Sequence, residues 1–325
     1  MKLKKIVMSL CIGSCFLPVA QASTQIKDLA VNHTVKTPKS NYAQTQYPIV
    51  LAHGLFGFGS MVGVDYFYQI IPDLARNGAN IWQTRVSTMN SSEVRGEQAL
   101  SQVEEILAIT GKQKVNLIGH SHGGQTVRYI AGVIPDHVAS VTTIASGNQG
   151  ARMADILEGI LVGNILEAPA RAIFDNLVSP VITFASGLDP KVFPYDAKAA
   201  LQSLGTKESL KFSQNFPNGV PTTQCGEGAY RVNNTHYYSF MGNSPFNTAL
   251  DPSDYGMLAS SLLAEKDGDG IVGRCSARFG KVIRDNYKWN HLDEINHLLG
   301  LKSIFAPSAV DVYRQHANRL KLQGL

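Results

Sequence analysis

Cysteine, tryptophan and charge are scarce in this chain: four Cys, two Trp and 17% Asp, Glu, Lys and Arg among 325 residues. It has no HExxH zinc motif and no complete EF-hand loop. It also lacks an unbroken apolar run of about 18 to 20 residues, so no membrane span is expected. The longest apolar stretch, 6–19, is interrupted by Ser and Gly, follows Lys2, Lys4 and Lys5, and precedes the A-x-A site Ala20-Gln21-Ala22. That layout predicts a secretory signal over residues 1–22. Its removal takes three lysines and no acid from a formal charge of +4, so the remainder carries +1. No basic surplus is left to hold nucleic acid or an anionic membrane. Cys11 and Cys15 leave with the signal. Cys225 and Cys275 remain as one pair bound for an oxidising compartment, and a disulfide between them would stabilise the fold by about 4 kcal/mol.

What is present is an alternating pattern. After a polar, unpatterned arm over 23–46, residues 47–52 read as a buried strand, 66–76 as a helix closed by Gly78, and 80–86 as a strand. A long amphipathic helix follows over 92–110, stopped by Gly111, and then strand 114–118, helix 124–134 and strand 138–145. Continuous apolar strands alternating with helices predict a mostly parallel sheet covered on both faces, here in one domain over 23–325.

Ser121 sits in Gly119-His120-Ser121-His122-Gly123, between a strand and a helix. A nucleophile elbow needs this context, with glycine where a Cβ would crowd the turn. A serine nucleophile needs a histidine base and a carboxylate to fix its tautomer. Of nine histidines, His291 is the best-placed base, whereas His120 and His122 point away from the serine side chain. Asp269, in Asp267-Gly268-Asp269-Gly270, is the suitable acid, although that loop also reads as a calcium turn or a solvated loop. A zinc site from His291 and His297 is disfavoured, because six residues separate them by about 240° around a helix. After Gly150 the rhythm breaks. Residues 151–190 read either as ordinary core helices or as a mobile amphipathic lid over the site.

Further motifs run through most of the chain: His53-Gly54-Leu55-Phe56-Gly57-Phe58, Cys225-Gly226-Glu227-Gly228, Leu250-Asp251-Pro252-Ser253-Asp254, Asp269-Gly270-Ile271-Val272-Gly273-Arg274-Cys275 and His291-Leu292-Asp293-Glu294. Together with the elbow they resemble the secreted true lipases of the Pseudomonas and Burkholderia type. The resemblance implies an α/β-hydrolase fold with a helical lid insertion, and hydrolysis of long-chain acylglycerols at an oil–water interface. It assigns Ser121 as nucleophile, His291 as base and Asp269 as its carboxylate, with the backbone N–H groups of Leu55 and His122 as the oxyanion hole. It implies one structural calcium ion held by the carboxylates of Asp251 and Asp293 and the carbonyls of His297 and Leu301. Asp293 could instead cap a helix over 295–299. A dedicated foldase chaperone, passage through the periplasm to the medium, and a monomer are implied as well. Two rivals remain: a short-chain esterase, thioesterase or acyltransferase with the same triad, and a hydrolase-like binder without turnover.

Overall fold

The computed structural model describes residues 30–57, 60–61, 64–161, 168–169 and 188–325. The expected signal and most of the expected lid lie outside the described residues. The strands are β1 (Val31–Asn32), β2 (Ile49–Ala52), β3 (Ser60–Met61), β4 (Val64–Asp65), β5 (Ile81–Gln83), β6 (Val115–His120), β7 (Val138–Ile144), β8 (Arg231–Val232), β9 (Thr235–Gly242) and β10 (Lys281–Tyr287). The helices that shape the site are α1 (Ile70–Arg76), α2 (Ser92–Thr110), α3 (His122–Val133), α4 (Arg152–Leu161), α5 (Pro252–Ser260) and α6 (Ala309–Leu322).

An eight-stranded sheet runs β1-β5-β2-β6-β7-β9-β10, with β8 added to β9. Its central ladders are parallel, while β1 and β8 pair antiparallel. Period-two alternation sends neighbouring side chains of each strand to opposite faces. Ile49 and Leu51 join the α1 and α6 residues Ile70, Leu74, Val312 and Tyr313. Val50 and Ala52 join the α2 and α3 residues Ala99, Val103, Val127 and Ile130 on the other face. The sheet is therefore covered on both sides, as its unbroken apolar strands require.

Helix α2 matches its sequence signals: Ser91 accepts a hydrogen bond from Val94 N, and Gly111 ends the helix at φ 63°. Other boundaries move. Helix α1 begins at Ile70 rather than 66, because Gln69 is left-handed at φ 60°. Strand β5 stops at Gln83, beyond which the chain turns so that the Ser87 and Thr88 carbonyls face Arg95. The amino-terminal arm is not free: β1 pairs with β5, and Lys39 N and Ala43 N donate to the carbonyls of Arg76 and Asn77. Residues 295–299 are not one helix. Two 3-10 turns, Asp293–Ile295 and Leu298–Gly300, flank the left-handed Asn296. Asp293 is the first residue of its turn and not its cap. Among the described residues no helix is long and apolar enough to cross a membrane. A disulfide joins Cys225 and Cys275 across 50 positions.

Candidate active site

Ser121 lies between β6 and α3 with φ 56° and ψ −128°, a conformation that L side chains rarely adopt. The strain persists because the surroundings over-determine it. Ser121 N donates to Ile144 O at 2.8 Å, and Gly124 N donates to Ser121 O at 2.9 Å. A Cβ at residue 119 would stand 2.1 Å from Gly123 O, and one at residue 123 would stand 2.2 Å from Ala52 O. Both glycines are thus sterically required.

The loop after α5 brings Asp269 to His291. His291 Nδ1 is 2.7 Å from Asp269 Oδ2, and the two backbones join as well, His291 N donating to Asp269 O at 3.1 Å. Asp269 is fully buried, with its other oxygen accepting from Ile271 N at 2.9 Å and Val272 N at 2.8 Å. Carboxylate and imidazole are therefore fixed relative to each other before any ligand arrives. The His291 ring also lies 4.6 Å, centroid to centroid, from that of His120, the residue preceding Ser121. The Ser121 hydroxyl itself makes no hydrogen bond among the described residues. Contacts to a base often tighten only when substrate binds.

His120 is no bystander. Its Nδ1 is 2.8 Å from the Tyr66 hydroxyl, which accepts from Gly54 N at 3.1 Å. Its Nε2 is 3.3 Å from Glu294 Oε2, and Glu294 Oε1 accepts from Gly242 N at 2.5 Å. Glu294 is fully buried, and burial pushes its carboxyl well above the usual range, with Asp269 adding to the effect. This network ties the loop after β2, the elbow and the His291 loop together. His122 points elsewhere, its Nε2 lying 3.0 Å from Ser92 Oγ.

Leu55 follows β2, and the sequence offers no hint of what holds it. The answer is Arg95 of α2, fully buried with no carboxylate partner among the described residues. One guanidinium nitrogen donates to His53 O at 2.6 Å and Gly54 O at 3.2 Å, the other to Ser87 O at 2.5 Å and Thr88 O at 3.4 Å. Phe56 N in turn donates to Thr88 O at 3.0 Å. The Leu55 N–H finds no acceptor among the described residues, and His122 N is a helix-start donor without an intrahelical acceptor. Both N–H groups are thus left without an acceptor among the described residues, and a buried cation grips the two carbonyls that precede Leu55. Burial lowers the Arg95 guanidinium to about 9, so it stays charged at neutral pH.

The expected calcium ligands carry a matching signature. Asp251 Oδ1 accepts from Ser253 N at 2.7 Å, yet its Oδ2 is buried without a partner. Asp293 Oδ2 accepts from Asn247 Nδ2 and Asn290 N, while its Oδ1 is likewise buried and alone. Burial, reinforced by the carboxylates of Asp251 and Asp254, pushes the Asp293 carboxyl up to about 7. Orphaned anionic oxygens of this kind fit a hard cation. His297 and Leu301 bracket the adjoining turn.

The pattern of the alpha/beta hydrolase fold family matches residues 47–293. A triacylglycerol lipase of Vibrio cholerae serotype O1 is 51% identical over 288 residues, covering 88% of this chain and 91% of that protein. One of Burkholderia plantarii is 39% identical, covering 87% and 88%, and one of Pseudomonas fragi is 36% identical, covering 86% and 98%. The crystal structure of a Bacillus licheniformis lipase in mature form superposes with a TM-score of 0.54 at 18% identity, covering 82% of this chain and 92% of that one. That likeness bears on the fold alone.

Proposed function

The chain belongs to the α/β-hydrolase family and, within it, to the triacylglycerol lipases; from this premise we propose that it is a secreted enzyme hydrolysing long-chain acylglycerols through Ser121, His291 and Asp269. One observation carries the reading: the imidazole of the 2.7 Å Asp269–His291 pair lies 4.6 Å, ring to ring, from His120, the residue before a serine held in a strained elbow. In the proposed sequence, Ser121 Oγ attacks the ester carbonyl and its proton passes to His291. Asp269 holds the Nδ1–H and stabilises the imidazolium. The N–H groups of Leu55 and His122 receive the oxyanion, each donor contributing about 3 kcal/mol to the transition state. His291 then protonates the departing glycerol oxygen, leaving an acyl-serine. Water attacks that ester with the same imidazole as base, releasing the fatty acid and restoring the serine.

A calcium ion, once bound, would supply charge neutralisation and a crosslink rather than a reacting centre. Asp251, Asp293 and the carbonyls of His297 and Leu301 would hold it. Asp293 lies two residues past the base, so these ligands would anchor the loop that aims His291. Export is supported by the signal-like residues 1–22 and by a disulfide suited to an oxidising compartment. A dedicated foldase, a monomeric state and a lid within 151–190 belong to the same proposal.

The test pairs two measurements. A fluorescent alkyl phosphonate should label the wild-type protein and not S121A, and emulsified long-chain triacylglycerol should turn over faster than a soluble short-chain ester. Failure to label the calcium-loaded, folded protein would make it a binder. Labelling with preference for the short ester would make it an esterase.

A further inference from the structure

We propose that His120, His291 and Glu294 form a binding site for a transition-metal dication of the zinc class, which inhibits the enzyme by capturing the imidazole nitrogen that Asp269 otherwise holds. One donor atom from each of the three buried residues lies within 4.8 Å of the others. Glu294 Oε2 is 3.3 Å from His120 Nε2 and 3.8 Å from His291 Nδ1. Zinc bonds of about 2.0 to 2.2 Å set a tetrahedral donor–donor edge of about 3.3 to 3.6 Å. Closing the site therefore draws the Glu294–His291 edge in by a few tenths of an ångström, brings the two imidazole donors, which lie within 4.8 Å, closer by up to about 1.5 Å, and turns the His291 ring off Asp269.

The donor chemistry selects the metal. Two imidazole nitrogens and one carboxylate oxygen suit zinc and its borderline neighbours, with a fourth position left for water. Calcium takes oxygen ligands and would stay at Asp251 and Asp293. The surroundings already orient two of the three donors. The Tyr66 hydroxyl holds His120 Nδ1 at 2.8 Å, and Gly242 N holds Glu294 Oε1 at 2.5 Å. Such outer partners fix the tautomer and aim of metal ligands. Glu294 and the adjacent Asp269 offset the charge of the incoming dication. The His291 side chain retains 9% exposure, which leaves an approach to the ligand cage beside Ser121.

Sequence spacing disfavours pairing His291 with His297. The fold substitutes His120, 174 positions before Glu294, and makes one donor set from the end of β6 and the distant segment 291–294. Inhibition follows from shared use of one atom. His291 Nδ1 cannot coordinate a metal and also donate to Asp269, and a metal-bound imidazole is a poor proton acceptor for the serine. The inhibitory half of the proposal rests on the hydrolase reading, whereas metal binding does not.

The experiment separates the two halves. Zinc chloride is titrated by calorimetry into calcium-loaded S121A protein, whose sample is inert but keeps all three ligands. One site is expected, with X-ray absorption at the zinc edge reporting two imidazoles and a carboxylate. H120N and E294Q should each bind zinc more weakly by at least the roughly 10- to 100-fold typical of losing even an outer-shell partner. Zinc should abolish turnover by the wild type, and excess calcium should not restore it. No binding by S121A, or undiminished binding by folded H120N and E294Q, overturns the site. Binding to S121A with the wild type still active in zinc overturns the inhibition alone and leaves the hydrolase reading intact.

Discussion

Replacing Arg95 with methionine tests whether a buried cation organises the oxyanion loop. Methionine keeps most of the volume and removes every donor. The Thr88 and Gly54 carbonyls would still accept from Phe56 N and Gly57 N, but those of His53 and Ser87 lose the partner the structure gives them. Two buried, unpaired carbonyls cost about 1 to 3 kcal/mol each, or about 2 to 6 kcal/mol together, partly offset because no charge need then be desolvated. The catalytic cost is separate. Leu55 follows directly on the two carbonyls that Arg95 grips, so its N–H drifts when they do. Loss of one oxyanion donor lowers kcat about 10²- to 10³-fold. The expected phenotype is a lower melting temperature and a kcat reduced by about 10- to 10³-fold per phosphonate-titrated site, with KM for a soluble short ester nearly unchanged. R95K, which keeps the charge but loses the fork, should fall between the two. A folded R95M enzyme with wild-type kcat per titrated site would refute the argument.

G119A and G123A should fail to accumulate as folded protein, since each new Cβ would stand 2.1 or 2.2 Å from a backbone oxygen; a native near-ultraviolet spectrum from either would contradict the steric reading. D269N keeps the two backbone hydrogen bonds to Oδ1 but misorients the imidazole, so kcat should drop by about 10⁴-fold with little change in melting temperature. Exhaustive chelation should lower the melting temperature and activity together, because Asp251 and Asp293 would face each other unneutralised; an unchanged melt would remove the ion from those ligands. Acid should destabilise the fold through His53 and His316, which burial lowers to about 3, helped in turn by Arg95 and Arg319. Their contribution is full above about pH 6.5 and is lost as pH falls toward 3, because the unfolded chain binds the protons first, at up to about 1.4 kcal/mol per pH unit for each. Urea midpoints that stay level from pH 7 to pH 4 would count against it.

The parts of this site that sequence reveals are those whose signal is local. Ser91 and Gly111 bound α2 because capping depends on a few neighbouring residues. Gly119 and Gly123 announce the elbow because the clash they avoid lies within one turn. Asp269 and His291 were legible as a pair of motifs, and the structure brings their side chains together. Arg95, Tyr66 and Glu294 gave no such warning. Arg95 lies in a helix where an arginine ordinarily faces water, and only the folded path of residues 53–54 and 87–88 turns four carbonyls toward it. Glu294 follows Asp293 like one more surface acid, yet it is enclosed between Gly242 and His120. The alternative of a helix over 295–299 fails for the same reason. Apolar residues there suggest a helix, but Asn290 Oδ1 gathers the N–H groups of Leu292 and Asp293, and Asn296 breaks left-handed. A polar side chain reaching forward two or three residues here outweighs helical propensity. What escapes a one-dimensional reading is thus a definite class: buried polar groups whose partners are backbone atoms of distant loops. At this site they set the position of the groups that the motifs name.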